Sequence, residues 1–114
     1  MKHPIKIILK LKGDVKNIHS SLEGTYFLRG FVRNDYPVWY KEGNIDVTIW
    51  CAKNGTNWNI GIDDVPAIHS LENTSGPLKT NSWAYNNGSE FILSTDIAVE
   101  PGKNAFVIKY RPCI

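Results

Sequence analysis

The tightest constraint on the fold is the stretch Asn34 to Ile62, NDYPVWYKEGNIDVTIWCAKNGTNWNIGI. From Ile45 its apolar residues recur at every second position. Ile45, Val47, Ile49 and Cys51 fall on one side, and Asp46, Thr48, Trp50 and Ala52 on the other. A period of two belongs to a β-strand with one face in a core. Lys53-Asn54-Gly55-Thr56 follows, and Asn-Gly readily takes the positive φ angles of a tight hairpin. Trp58, Ile60 and Ile62 then alternate with Asn57, Asn59 and Gly61. The alternation predicts a return strand with Trp58 inward.

The rest of the chain repeats this logic. Ile5 to Lys12 places Ile5, Ile7, Leu9 and Leu11 on one face, and Lys6, Ile8, Lys10 and Lys12 on the other. Asn17 to Glu23 is polar and long enough for a helical turn only. Thr25 to Val32 is apolar on both faces, as in a central strand, with Gly30 marking a bulge. Arg33 to Pro37 reads as a turn, Val38 to Lys41 as a strand, and Glu42-Gly43-Asn44 as another turn. Asp63 to Ser82 reads as a long irregular loop, pinned at helical spacing by Val65, Ile68 and Leu71. Trp83 to Tyr85 and Phe91 to Val99 read as strands around an Asn86-Asn87-Gly88-Ser89 turn, with a break at Ser94-Thr95-Asp96. Ala105 to Tyr110 is the last strand, and the first and last strands are expected to be neighbours. The pattern predicts an all-β fold. It is an antiparallel β-sandwich or small barrel of about eight short strands with little helix.

A chain of 114 residues predicts a single domain spanning 1–114. A net charge of +2 is too small to imply a polyanionic partner. Five lysines nonetheless precede Asn17. They read either as the defence of an edge strand or as a basic face, Lys6, Lys10 and Lys12, for phosphate or an acidic partner. No stretch reaches the roughly twenty apolar residues of a membrane span. Lysines interrupt the apolar start, so it does not read as a secretory leader, and an intracellular protein is the default expectation. Cys51 and Cys113 read as buried free thiols or, in an oxidising compartment, as a bridge. Three N-x-S/T triplets, at Asn54, Asn73 and Asn87, fall in turns or loops.

Candidates for chemistry are few. His3, His19 and His69 lack metal-ligand spacing, Asp63-Asp64 reads as a solvated pair, and no nucleophile or nucleotide motif occurs. No metal, cofactor or catalytic set is expected. A small enzyme needs His69 beside an aspartate in a cleft. The aromatics say more. Trp39 and Trp50, on strands expected to be neighbours, are read as sharing a face. If that face packs on a second layer they are core. If it is open they form a platform for sugars, protein anchors or bases.

Gly24-Thr25-Tyr26, Asn34-x-x-Pro37-Val38-Trp39, Ile49-Trp50, Trp58-Asn59-Ile60-Gly61, Pro77 and Trp83 together resemble a small aromatic-rich β module. Such modules occur in multidomain proteins of invertebrates and protists. The resemblance covers Leu22 to Val99 and implies an interaction module without a catalytic set. The resulting expectation is a non-catalytic module that binds a protein or glycan. Its binding residues are Trp39, Trp50, Trp83, Tyr85, Asn34 and Asp35, with the 63–82 loop. Alternatives are a nucleic-acid-binding domain using the lysine strand, and a barrel holding an apolar ligand lined by Thr25 to Val32.

Overall fold

The computed structural model describes residues 2–53, 57–72, 74–80, 82–102 and 107–109. The strands are β1 (Lys2–Pro4), β2 (Lys6–Leu11), β3 (Gly24–Arg33), β4 (Tyr36–Lys41), β5 (Asn44–Cys51) and β6 (Trp58–Ile62), followed by β7 (Val65–Ser70), β8 (Trp83–Asn86), β9 (Phe91–Ser94), β10 (Ile97–Pro101) and β11 (Val107–Lys109). The one α-helix among the described residues is α1 (Gly13–His19), continued by a 3-10 turn over Ser20–Leu22. Nine strands form one antiparallel sheet in the order β10-β2-β3-β4-β5-β6-β7-β8-β9, and β1 pairs with β11. β9 and β10 stand at opposite ends of this order, yet only Thr95 and Asp96 separate them in the chain. The two edges are thereby drawn together into a nearly closed barrel. The fold is all-β, as the alternation predicts, and of the two expected forms, sandwich and small barrel, it is the barrel, with eleven strands among the described residues rather than about eight.

Register explains the core. Leu28, Trp39, Ile49, Ile60, Ile68, Tyr85 and Ile92 lie opposite one another in turn across β3 to β9. They form a belt of inward side chains. Ile7, Leu9, Leu11, Val47, Cys51, Trp58 and Trp83 extend the core, and Val15 and Leu22 join it from the helical segment. The largest side chains keep their polar ends satisfied. Trp39 donates its indole N–H to the Pro4 carbonyl at 2.9 Å, and Trp58 donates to the Thr74 carbonyl at 3.0 Å. The Tyr26 hydroxyl donates to the Leu22 carbonyl at 2.5 Å. An aromatic chain runs His3–Trp39–Trp58–Tyr36, each step edge-on with ring centroids 5.8 to 5.9 Å apart.

Several expectations change. β2 pairs on both sides, with β10 and with β3, so the lysine strand is interior to the sheet and needs no edge defence. The segment 63–82 is not one loop. Asp63 and Asp64 form a two-residue turn with φ of 52° and 67°, and β7 follows directly. Two successive positive φ angles make the turn type I′, which Asp tolerates. Of the three residues expected to pin this segment, only Ile68 is buried, whereas Val65 and Leu71 are exposed. The Gly30 bulge does occur, since the β3–β4 register shifts between Leu28 and Val32. Of the expected last strand, Ala105 to Tyr110, only residues 107–109 are described; they form β11, which pairs with β1, so the first and last strands are neighbours. Ile45, the second residue of β5, is 63% exposed and lies outside the core.

Candidate functional site

The residues of the expected aromatic platform are buried. Exposure is 0% at Trp39, 3% at Trp50, 2% at Trp83 and 7% at Tyr85. Trp39 lies opposite Ile49, so Trp39 and Trp50 occupy opposite faces of the sheet and share none. The earlier expectation assumed the wrong register between β4 and β5. Trp50 does project from the outer face, but the Arg33 guanidinium covers its ring at 4.7 Å. Asn34 donates its amide to the Cys51 carbonyl at 2.9 Å, tying the β3–β4 hairpin down to β5. Asp35 is exposed in the type I′ turn of that hairpin, where φ is 55° at Asn34 and 70° at Asp35.

The other candidates separate too. Lys10 pairs with Glu100 at 2.7 Å, Lys6 lies over the Phe27 ring at 5.8 Å, and Lys12 is exposed at the end of β2. Thr25 to Val32 does not line a cavity on both faces. Tyr26 and Leu28 turn inward, while Arg29, Phe31 and Val32 are exposed. Fully buried Trp39, Trp58 and Tyr26 occupy the barrel interior instead. His69 packs against Phe91 with ring centroids 4.2 Å apart, and its Nδ1 lies 3.0 Å from the Ser70 carbonyl. The aspartate pair forms the β6–β7 turn, where Asp64 meets Arg33. Cys51 is a buried free thiol whose burial raises its pKa. Cys113 and the Asn54 and Asn73 triplets lie outside the described residues.

A different site emerges on the outer face. Register places Phe27, Tyr40, Thr48, Gly61 and Pro66 in one outward row across β3 to β7. Gly61 is required there, because a Cβ would lie 1.9 Å from the Val65 carbonyl oxygen. The β6–β7 hairpin can therefore close down onto the sheet, and a bulge at Ile60/Gly61 bends it. Its tip meets the tip of the β3–β4 hairpin, where Arg33 forms an ion pair with Asp64 at 2.5 Å. Beneath lies a cleft of about 380 Å3 lined by Val32, Arg33, Val38, Tyr40, Ile45, Asp46, Thr48, Asp63 and Asp64.

The cleft continues into a second hollow lined by Arg29, Phe31, Tyr40 and Ile45. Here Phe31 meets Tyr40 edge-on at 6.0 Å, and the Arg29 guanidinium lies 6.0 Å from the Tyr40 ring. Phe31 is 60% exposed. The combined groove is acidic at one end, apolar in the middle and basic at the other. At the acidic end the Asp63 amide donates to the Asp46 carbonyl at 2.9 Å, so the two residues are neighbours across β5 and β6. Among the described residues, neither the Asp46 nor the Asp63 carboxylate has a hydrogen-bond or ion-pair partner. Also among the described residues, no group of three His, Cys, Asp or Glu is placed to hold a metal ion.

Sequence reasoning passed over this groove, although its signals were present. The alternation that turns Trp39 inward turns Val38 and Tyr40 outward. The same rule pairs Thr48 with Asp46 on the outer side of β5. The Ile60/Gly61 bulge and the Asp-Asp turn, which help bring distant hairpins together, lack a plain signature, whereas Gly30 marks the bulge in β3. No family model, no curated protein and no solved structure matches the chain.

Proposed function

We propose that this chain is a non-catalytic β-barrel module that recognises a protein or glycan through the outer groove around Tyr40. The observation carrying this reading is the pairing of an exposed Phe31 and a half-buried, outward-facing Tyr40 with polar groups on a rigid sheet. Large exposed aromatics are costly in water and useful as anchors in a partner's surface or beneath a sugar ring. Here the surrounding groups are held before any ligand arrives, by two type I′ turns and the Arg33–Asp64 pair. Such preorganisation lowers the ordering cost of binding. The binding surface thus uses the start of the segment 63–82, and aromatics other than those the sequence brought forward.

The test is a glycan array together with a protein pull-down, run on the native chain and on Phe31→Ala and Tyr40→Ala. Loss of the captured ligand by at least tenfold, with an unchanged circular-dichroism spectrum, supports the reading. Capture that survives both substitutions places recognition elsewhere on the barrel.

A further inference from the structure

Taking the groove as the binding surface, we infer that its partner is a protein segment presenting a cationic side chain beside an apolar one. The inference rests on that reading and narrows it. Three aspartates and one arginine line the cleft, leaving two carboxylates in excess. Arg33 is engaged twice, by Asp64 and by the Trp50 ring, and is poorly free to neutralise the rest. Asp46 and Asp63 sit side by side, and neighbouring like charges repel. A cation between them relieves that repulsion.

A second observation points the same way. Thr48 is 7% exposed and lines the cleft, and its Oγ1 has no hydrogen-bond partner among the described residues. A buried hydroxyl left unpaired is unfavourable. A guanidinium or ammonium brings several N–H donors and no acceptor, which suits a hydroxyl oxygen and two carboxylates together. A neutral sugar brings donors as well, but leaves the excess charge uncompensated.

The apolar part of the partner follows from the rim. Phe31, Val32, Ile45 and Val65 are each between 49% and 66% exposed, and the first three line the groove itself. The aliphatic members of this rim, Val32, Ile45 and Val65, cover another apolar side chain. They offer a sugar's hydroxyl groups nothing. A residue next to the cation in sequence would reach the Phe31–Ile45 hollow while the cation occupies the aspartate end.

The test uses the whole chain, labelled with nitrogen-15, and three probes: the peptide acetyl-Arg-Leu-Leu-amide, its citrulline counterpart, and neutral chitotetraose. Citrulline keeps the shape of arginine and removes its charge. The expected result is that the arginine peptide shifts the amide resonances of Tyr40, Asp46, Thr48 and Asp63, and binds at least tenfold more tightly than the citrulline peptide. Asp46→Asn and Asp63→Asn should each weaken it several-fold. Asn is isosteric and accepts positive φ, so the Asp63 turn survives the change. If chitotetraose shifts these resonances and the arginine peptide does not, the cationic partner is overturned and the groove remains the binding surface. If none of the probes moves them, the cationic partner is likewise overturned. If the arginine and citrulline peptides bind equally, the charge argument fails.

Discussion

Trp39 and Tyr40 are adjacent in sequence and meet opposite environments. Trp39 is wholly buried, donates its N–H to a backbone carbonyl and touches two other aromatic rings. Tyr40 faces outward, bordered by one exposed phenylalanine, an arginine and the acidic cleft. The aromatic-rich sequence therefore supplies two distinct systems on the two sides of one sheet. The inner one contains Trp39, Trp58 and Trp83 and fills a small barrel, while Trp50 is buried on the outer face beneath Arg33. The outer one is built from Phe31 and Tyr40 and remains available to a partner. Abundance of tryptophan in a chain of this size speaks for the core and says nothing of a ligand.

Substitutions on the two sides should separate these systems. Trp58→Ala removes a fully buried ring and should cost about 3–5 kcal/mol, measured by urea denaturation. That is a large fraction of a small domain's total stability. Gly61→Ala should follow at about 1–3 kcal/mol, because the added methyl meets backbone rather than a movable side chain. Tyr40→Ala should cost no more than about 1 kcal/mol in the same assay, in contrast to its effect on ligand capture. Thr48→Val should be neutral or stabilising by up to about 1 kcal/mol, since it removes a buried hydroxyl without removing a hydrogen bond. A strongly destabilising Thr48→Val would indicate that the hydroxyl has a structural partner, and would remove one support for the cationic ligand.

Acid provides a milder perturbation of the inner system. Burial holds the His3 imidazole below its ordinary pKa of 6.5. The folded protein takes up this proton less readily than the unfolded chain does. The contribution of neutral His3 is therefore complete above about pH 6.5 and declines as pH falls towards its lowered folded value. His3 borders Trp39, so the decline should appear in tryptophan emission as well as in the melting temperature. His3→Gln should flatten the profile over that range.

The architecture was legible wherever a strand alternates cleanly. β5 and β6 follow the expected spacing, with Val47, Ile49, Cys51, Trp58 and Ile60 inside. The Asn86–Ser89 turn also forms, the Asn87 side chain accepting the amides of Ser89 and Glu90 at 3.0 Å. Register was harder to read. A strand's pattern says which residues share its own face, but pairing decides which residues of two strands meet. Placing Trp39 beside Trp50 was an error of pairing, made while the alternation within each strand was correct. β7 was hidden by Pro66 and by an Asp-Asp turn, whose preference for positive φ is weaker than that of Asn-Gly. Most residues of the resembling motif, among them Tyr26, Pro37, Trp39, Trp58 and Gly61, are buried, while Gly24, Thr25 and Asn34 are half-buried. Their spacing describes how the barrel is packed. The groove required three-dimensional closure between hairpins about thirty residues apart, joined by Arg33 and Asp64.

The division between a tryptophan-filled interior and a tyrosine-centred surface is tested most directly by quenching of tryptophan fluorescence with iodide. The expected result is a blue-shifted emission band, with every indole shielded and quenching rising to the free-tryptophan level only after denaturation. Red-shifted emission that iodide quenches readily in the native protein would contradict the account, since at least one indole would then stand in water where the barrel has no room for it.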